Sequence, residues 1–297
     1  MTAIAFKTPA KVNLGLHMLG KREDGFHELE TLFQMVNWCD EIKIECLADG
    51  LELTCNQPDI PTDEGNLVIK AARLLQTRFP DRCKGARIHL KKNIPHGAGL
   101  GGGSGNAAGV LLGLNFLWDL ELNREELILM ASELGSDVPF FLLSPCAIGR
   151  GRGEILEPVD SSLKFYILMV YPGFPVSTAW VYGNLNLKLT KQENNISILK
   201  NFLLRSEFAQ LGAAWTNDLE PVVFQEYPEI FAIKKQFLAF GAKGALLSGS
   251  GSTVFGLFDN LETAKTAYTR LEGGKFRLFL AESIVSLSEL YPEEMLR

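Results

Sequence analysis

PHGAGLGGGSG, residues 95–105, carries six glycines in eleven positions, and the fold reads outward from it. Glycine loses more backbone freedom on folding than any other residue, so this density needs a reason. On its N-terminal side Ala86, Ile88 and Leu90 alternate with polar residues, the period of a strand. On its C-terminal side 107–118 is a strongly apolar run that predicts a buried helix. A glycine-rich bend between a strand and a helix leaves N–H groups bare and turns the positive helix end toward whatever it encloses. That is an anion site, and phosphates are its natural ligand.

Three phosphate-binding classes can be tested at once. Gly97, Gly99 and Gly102 satisfy G-x-G-x-x-G, but a dinucleotide fold needs a second strand ending in an acidic residue about twenty positions on. Here Asp119 and Glu121 lie between two helical patterns. No Gly-Lys-Ser/Thr follows the bend and no H-R-D segment occurs, which excludes the P-loop and the protein-kinase set. A cradle outside these three classes is expected.

The flanking elements set the class as α+β. Val12, Leu14, Leu16 and Met18 alternate with polar or small residues, as do Ile42, Ile44 and Cys46, then Leu51, Leu53 and Cys55 after an Asp49-Gly50 turn signal. Asn66 caps an amphipathic run from Leu67 to Leu75, and Asn123 with Glu126 forms a capping-box pattern before a helix ended by Gly135. Gly149, Gly151, Gly153 and Pro158 predict a crossing point between two domains, drawn at 1–155 and 156–297. Beyond it, strands at 164–171, 245–247, 254–258 and 276–285 and helices at 228–240 and 261–271 follow the order βαββαβ. With additions after its first strand, that is the ferredoxin-like split βαβ arrangement.

The composition excludes several functions. The 297 residues are 46% apolar and 22% charged, near the globular average of roughly 45–50% and 25%, so disorder is not expected. A net charge of −6 argues against a general nucleic-acid binder. No apolar run approaches the roughly 18 residues that span a bilayer. The start of the chain has no secretory or transit pattern. Five scattered cysteines without C-x-x-C spacing and four histidines without ligand spacing fit a reducing cytoplasm and no metal site. A soluble cytoplasmic protein with no membrane partner is expected.

Two further segments carry polar residues that a fold alone would not ask for. Lys11 and Asn13 lie on the polar face of the first strand pattern, and Asp137 stands beside the apolar run Val138 to Phe141. A carboxyl near buried aromatics has its pKa raised by desolvation, while an adjacent ammonium lowers it, so the pair reads as base and electrostatic partner. The bland alternatives are a helix cap for Asp137 and a solvated strand residue for Lys11. SGSGS at 248–252 joins two predicted strands, either as a plain hairpin turn or as a second source of N–H donors.

With these residues in view, PAKVNLGLHMLGKREDGFHEL (9–29), PHGAGLGGGSGNAAG (95–109), GSDVPFF (135–141) and LSGSGSTVF (247–255) together resemble the GHMP kinase superfamily, over essentially the whole chain. NLVIKAARLL (66–75), GRGE (151–154) and NDLE (217–220) extend the likeness, and D-G-F-H-E-L points to a branch whose acceptor is a cytidine diphosphate alcohol. The resemblance implies an N-terminal α/β domain, a C-terminal ferredoxin-like domain and a cleft between them. It implies ATP as co-substrate with Mg²⁺, bacterial origin, and a monomer or homodimer. Asp137 would be the catalytic base and Lys11 its partner. Pro95, Gly97, Ala98, Gly99, Leu100, Gly101, Gly102, Gly103 and Ser104 would wrap the triphosphate, with Asn66 and Lys92 at the adenine. Asn13, Phe26, His27 and Tyr182 would take the cytidine, two aromatic rings sandwiching the base and His27 bonding its edge. Phe26 and Gly105 depart from the family's usual Tyr and Ser, the second removing a phosphate or metal ligand from the helix start. Another small-molecule kinase of the superfamily, acting on mevalonate, homoserine or a sugar, and a silent nucleotide sensor are the competing readings.

Overall fold

The computed structural model describes residues 2–185 and 196–296. Its strands and helices, in chain order, are β1 (Ala3–Lys21), β2 (His27–Leu47), β3 (Leu51–Cys55), α1 (Leu67–Arg78), β4 (Gly85–Lys91), α2 (Gly102–Leu117), α3 (Arg124–Leu134), α4 (Phe140–Leu143), β5 (Cys146–Gly151), β6 (Ile155–Pro158), β7 (Tyr166–Tyr171), α5 (Thr178–Gly183), α6 (Ile196–Leu204), α7 (Phe208–Ala213), α8 (Glu220–Glu226), α9 (Pro228–Ala239), β8 (Gly244–Leu247), β9 (Val254–Phe258), α10 (Leu261–Leu271) and β10 (Arg277–Glu282).

Two sheets result. In the first, the long hairpin β1–β2 is the spine, and β2 has β1 along one edge. Its other edge is shared: β4 pairs with 41–47 and β5 with 29–34, leaving a gap between them. The sheet is completed by β6 on β5 and by β3, which pairs parallel with β4 and not with β2. The second sheet has the order β10-β7-β9-β8, all antiparallel, which is the strand order of a split βαβ unit.

The chain crosses between sheets at 159–165, directly after Pro158, at the end of the 149–161 stretch expected to hold the crossing. Gly149, Gly151 and Gly153 instead shape the β5–β6 hairpin, and the 155/156 boundary drawn from sequence falls within β6. After β10, Ile284, Leu287, Leu290 and Tyr291 return to the core formed by α1, α2 and the first sheet. A second cluster joins Val12, Leu14, Leu32 and Val36 to Ile167, Met169, Phe255 and Leu257, so the two sheets share buried surface.

α2 begins at Gly102, five residues before the expected start at Ala107. Its first turn consists of residues with poor helix propensity, so the pattern there is silent. Proximity accounts for Gly105: a Cβ there would stand 2.9 Å from the Pro9 carbonyl oxygen and 3.2 Å from the Phe141 ring, so a side chain would require a shift between α2 and β1.

Candidate active site

The loop 95–101 leaves β4 under the control of a buried carboxylate. Asp40, fully buried in the gap on the edge of β2, accepts from the backbone N–H groups of Asn93 (2.7 Å) and Ile94 (2.9 Å) and from Asn106 Nδ2 (2.9 Å). It also pairs with the Lys92 ammonium. Asp40 was missed in the sequence, although the period that turns Ile42 and Ile44 inward turns Asp40 inward too.

The loop's carbonyls are then taken up by neighbouring elements. Val176 N–H donates to Gly97 O at 3.3 Å, Thr253 N–H to Ala98 O at 3.2 Å, Ser248 Oγ to Gly99 O at 2.8 Å and Lys11 N–H to Leu100 O at 2.9 Å. Among the described residues no protein acceptor takes the N–H groups of 97–101. The loop therefore turns its acceptors into the protein and keeps its donors for something else, as an anion cradle requires. Gly99, at φ +75°, is fixed by this docking: a Cβ there would lie 2.0 Å from Ser248 O. The 248–252 segment is thus a hairpin turn as expected and also the clamp that holds the loop, with Gly249 and Ser250 on the cavity wall.

Every candidate residue named from the sequence lines one cavity of about 1200 Å³. Gly105 does not, and a Cβ there would meet the Pro9 carbonyl oxygen and the Phe141 ring. At the cavity floor Lys11, 4% exposed, donates to Asn13 Oδ1 at 2.7 Å and stands 3.7 Å from Asp137 Oδ2 and 5.4 Å from the Phe33 ring centroid. Burial pushes the Lys11 pKa below its ordinary value, and Asp137 opposes that shift. The Asp137 side chain, 35% exposed, has one side open to the cavity.

Three of the polar groups expected to meet ligand are occupied by the protein itself. Asn66 caps α1, its Oδ1 accepting from Val68 N–H at 2.9 Å and its Nδ2 donating to Pro61 O. Lys92 is committed to Asp40 and donates to Asn106 Oδ1 at 3.1 Å. Asn13 is engaged at both ends, its Oδ1 by Lys11 and its Nδ2 by Thr31, which leaves one N–H and one lone pair of the amide on the cavity wall.

The aromatic end of the cavity gathers Phe26, His27 and Tyr182. Tyr182 packs on His27, with ring centroids 5.4 Å apart, while Phe26 is 53% exposed and carries the Arg152 guanidinium 4.9 Å above its ring. Phe26 sits on the β1–β2 turn, where Asp24 Oδ1 accepts from its N–H. Burial lowers the His27 pKa, with Lys21 adding to the shift, and raises the Tyr182 hydroxyl to about 12, so both rings are neutral at pH 7. Thr31, Arg152 and Thr178 also line the cavity without being candidates in the sequence, although Arg152 lies inside GRGE; Ser250 belongs to the SGSGS segment already in view.

Among the described residues no group of three His, Cys, Asp or Glu side chains could hold a metal ion, and no helix is long and apolar enough to cross a membrane.

Known proteins resemble the chain along its length. Residues 66–145 match the GHMP kinases N terminal domain and residues 198–276 the GHMP kinases C terminal domain. The 4-diphosphocytidyl-2-C-methyl-D-erythritol kinase of Chlorobium phaeobacteroides (strain BS1) is 46% identical over 90% of this chain and 93% of its own. Its namesake from Geobacter sp. (strain M21) is 43% identical, covering 92% and 95%. A crystal structure of 4-(cytidine 5'-diphospho)-2C-methyl-D-erythritol kinase superposes with a TM-score of 0.83 at 36% identity, covering 94% of this chain and 99% of that one. Homoserine kinase from Cytophaga hutchinsonii shares the fold, with a TM-score of 0.76 at 21% identity over 96% and 95%.

Proposed function

Because the chain belongs to the GHMP kinase family, among the 4-diphosphocytidyl-2-C-methyl-D-erythritol kinases, we propose that its cavity carries out in-line phosphoryl transfer with Asp137 as base. The enzyme is an ATP-dependent small-molecule kinase of the non-mevalonate isoprenoid route and phosphorylates the 2-hydroxyl of 4-diphosphocytidyl-2-C-methyl-D-erythritol. Phosphoryl transfer passes through a loose transition state, so the protein mainly positions two substrates and stabilises charge on oxygen.

In this reading the unclaimed N–H groups of 97–101 and the N-terminus of α2 hold the triphosphate. Asp137 accepts the proton of the attacking hydroxyl, and the buried Lys11 ammonium stabilises the oxygen as negative charge builds on it. One observation supports the assignment above others: a lysine and a carboxylate 3.7 Å apart at the floor of the same cavity that the donor-rich loop lines. Tyr182, His27 and Phe26 offer ring faces for the cytosine, and base–aromatic stacking is worth about 1–3 kcal/mol per base. Asn13, Asn66 and Lys92 serve by holding their neighbours in place.

Mg²⁺ usually takes one or two protein oxygens together with substrate phosphates. With no resident acidic cluster in the described residues, the donor set fits a cation that arrives with the nucleotide, Ser104 being the hydroxyl on the cradle. When bound it would neutralise charge between the β and γ oxygens. We place the enzyme in a bacterial cytoplasm, as a monomer or homodimer. The unit that carries the cradle, expected over 1–155, and the unit that carries the clamp, expected over 156–297, meet in this reading at the 159–165 crossing, with the family matches on either side of it.

ADP release tests the substrate. Turnover is expected with the cytidine diphosphate alcohol and none with mevalonate or homoserine; the reverse pattern would replace the acceptor. Asp137→Asn should lower kcat by about 10² to 10⁴-fold, the range of general-base catalysis, with ATP affinity retained. Near-normal turnover would remove Asp137 from the mechanism.

A further inference from the structure

Lys11 holds its proton in a place that disfavours it. The ammonium is buried, its strand neighbour Asn13 accepts from it at 2.7 Å, and Asp137, at 3.7 Å, is the charged group that acts on it. Among the described residues the other elements packed around it bring no charge: β2 contributes the Phe33 ring, the glycine loop contributes Gly101, and the 248–252 clamp contributes Gly249. The shortest hydrogen bond the ammonium donates is therefore to a neutral amide, and that amide can accept only with its oxygen toward Lys11.

An Asn side chain can turn over, exchanging oxygen and nitrogen. What fixes it here is Thr31, a fully buried residue of β2. The Thr31 hydroxyl has one proton, and it is donated to the Gly15 carbonyl oxygen at 2.6 Å, which can only accept. Oγ1 is left with lone pairs toward Asn13 and accepts from its Nδ2 at 2.8 Å. The nitrogen is thereby held on the Thr31 side and the oxygen on the Lys11 side. Resting on the reading of Lys11 as the partner of Asp137, we infer that Thr31 is a positioning residue of the phosphoryl transfer, orienting the Asn13 amide so that Lys11 stays protonated beside the reacting oxygen.

Thr31→Val keeps the shape and removes the acceptor. Asn13 Nδ2 is then buried without a partner, and turning it toward the cavity water restores its bond while taking the oxygen away from Lys11. Because the charged form of Lys11 loses its acceptor, its pKa moves further down. The expected result is a kcat lower by about 10- to 100-fold, the worth of a hydrogen bond to a charged group, unchanged KM for ATP, and a basic limb of the kcat–pH profile displaced to lower pH. Thr31→Ser should restore both. Asn13→Asp should move the limb the opposite way, since a carboxylate stabilises the ammonium.

The titration of Lys11, followed by the ¹³Cε resonance of labelled protein, reads the same displacement without turnover. A wild-type enzyme inactive on the cytidine diphosphate alcohol would defeat the substrate assignment; active wild type whose basic limb and Lys11 titration stay in place in both Thr31→Val and Asn13→Asp would overturn this inference alone. A Ser variant that behaves like Val would also overturn it. If Thr31→Val does not fold, the Asn13→Asp displacement decides: upward supports the inference, unmoved or downward rejects it.

Discussion

Asp40→Leu tests whether a buried charge pair holds the phosphate loop in place. The carboxylate is fully buried, and it satisfies the Lys92 ammonium, two backbone N–H groups and the Asn106 amide. Removing one partner of a buried ion pair costs about 3–5 kcal/mol. Each orphaned buried N–H costs about 1–3 kcal/mol. With the lower end of each range, Asp40→Leu loses about 5 kcal/mol, a large share of the roughly 5–15 kcal/mol that holds a domain folded. Adding Lys92→Met removes the stranded ammonium and should return about 3 kcal/mol, leaving the N–H groups of Asn93 and Ile94 as the residual loss.

At about 2 °C per kcal/mol for a chain of this size, the single variant melts about 10 °C below wild type and the double variant about 4 °C below. Urea titration followed by circular dichroism gives the free energies, and calorimetric titration with an ATP analogue reads the loop. Affinity should fall in both variants, because 92–94 lead directly into 95–101. A single variant within 1 kcal/mol of wild type would refute the reasoning, as would a double variant no more stable than the single.

Other substitutions separate structural from functional needs. Gly99→Ala should lower stability by at least about 1 kcal/mol, as strain at a positive φ does, since its Cβ would meet Ser248 O at 2.0 Å. Gly103→Ala has no atom nearer than 3.9 Å, so thermal melting should show equal or higher stability, gaining up to about 1 kcal/mol from helix propensity; weaker ATP binding in a stable variant would mark the cradle. Tyr291 buries a hydroxyl with no partner among the described residues, so Tyr291→Phe should be neutral or stabilising by up to about 1 kcal/mol, and a drop in Tm would contradict that. Glu220 is largely buried beside Lys234, and burial raises its pKa above the ordinary 4.5. The folded state then binds more protons than the unfolded one above pH 4.5, so this group's contribution to stability falls as pH rises from 4.5 through its folded pKa. Glu220→Gln should flatten that part of the stability–pH curve; an unchanged slope would assign it elsewhere.

What could be read in the sequence was whatever depends on local pattern. Strand period placed β1, β2 and β4, capping residues placed the starts of α1 and α3, and the βαββαβ order placed the second sheet. Lys11, Asp137 and the loop stood out because their residue types are costly where the pattern puts them. The start of α2 was illegible for the opposite reason: its glycines are disfavoured in a helix, and the one that packing demands, Gly105, answers to Pro9 of β1, a contact between residues nearly a hundred positions apart.

The assignments within the site belonged to tertiary structure. A side chain has a fixed number of donors and acceptors, and sequence does not say which are already taken. Asn13, Asn66 and Lys92 reach the cavity as expected, but Thr31, Val68 and Asp40 hold their polar atoms. Phe26 and Tyr182 are brought to one cavity from a turn and from α5, and Tyr182 packs on His27. Residue type and spacing fixed which chemistry was present; the closing of two sheets on a common core fixed which atoms remained free to perform it.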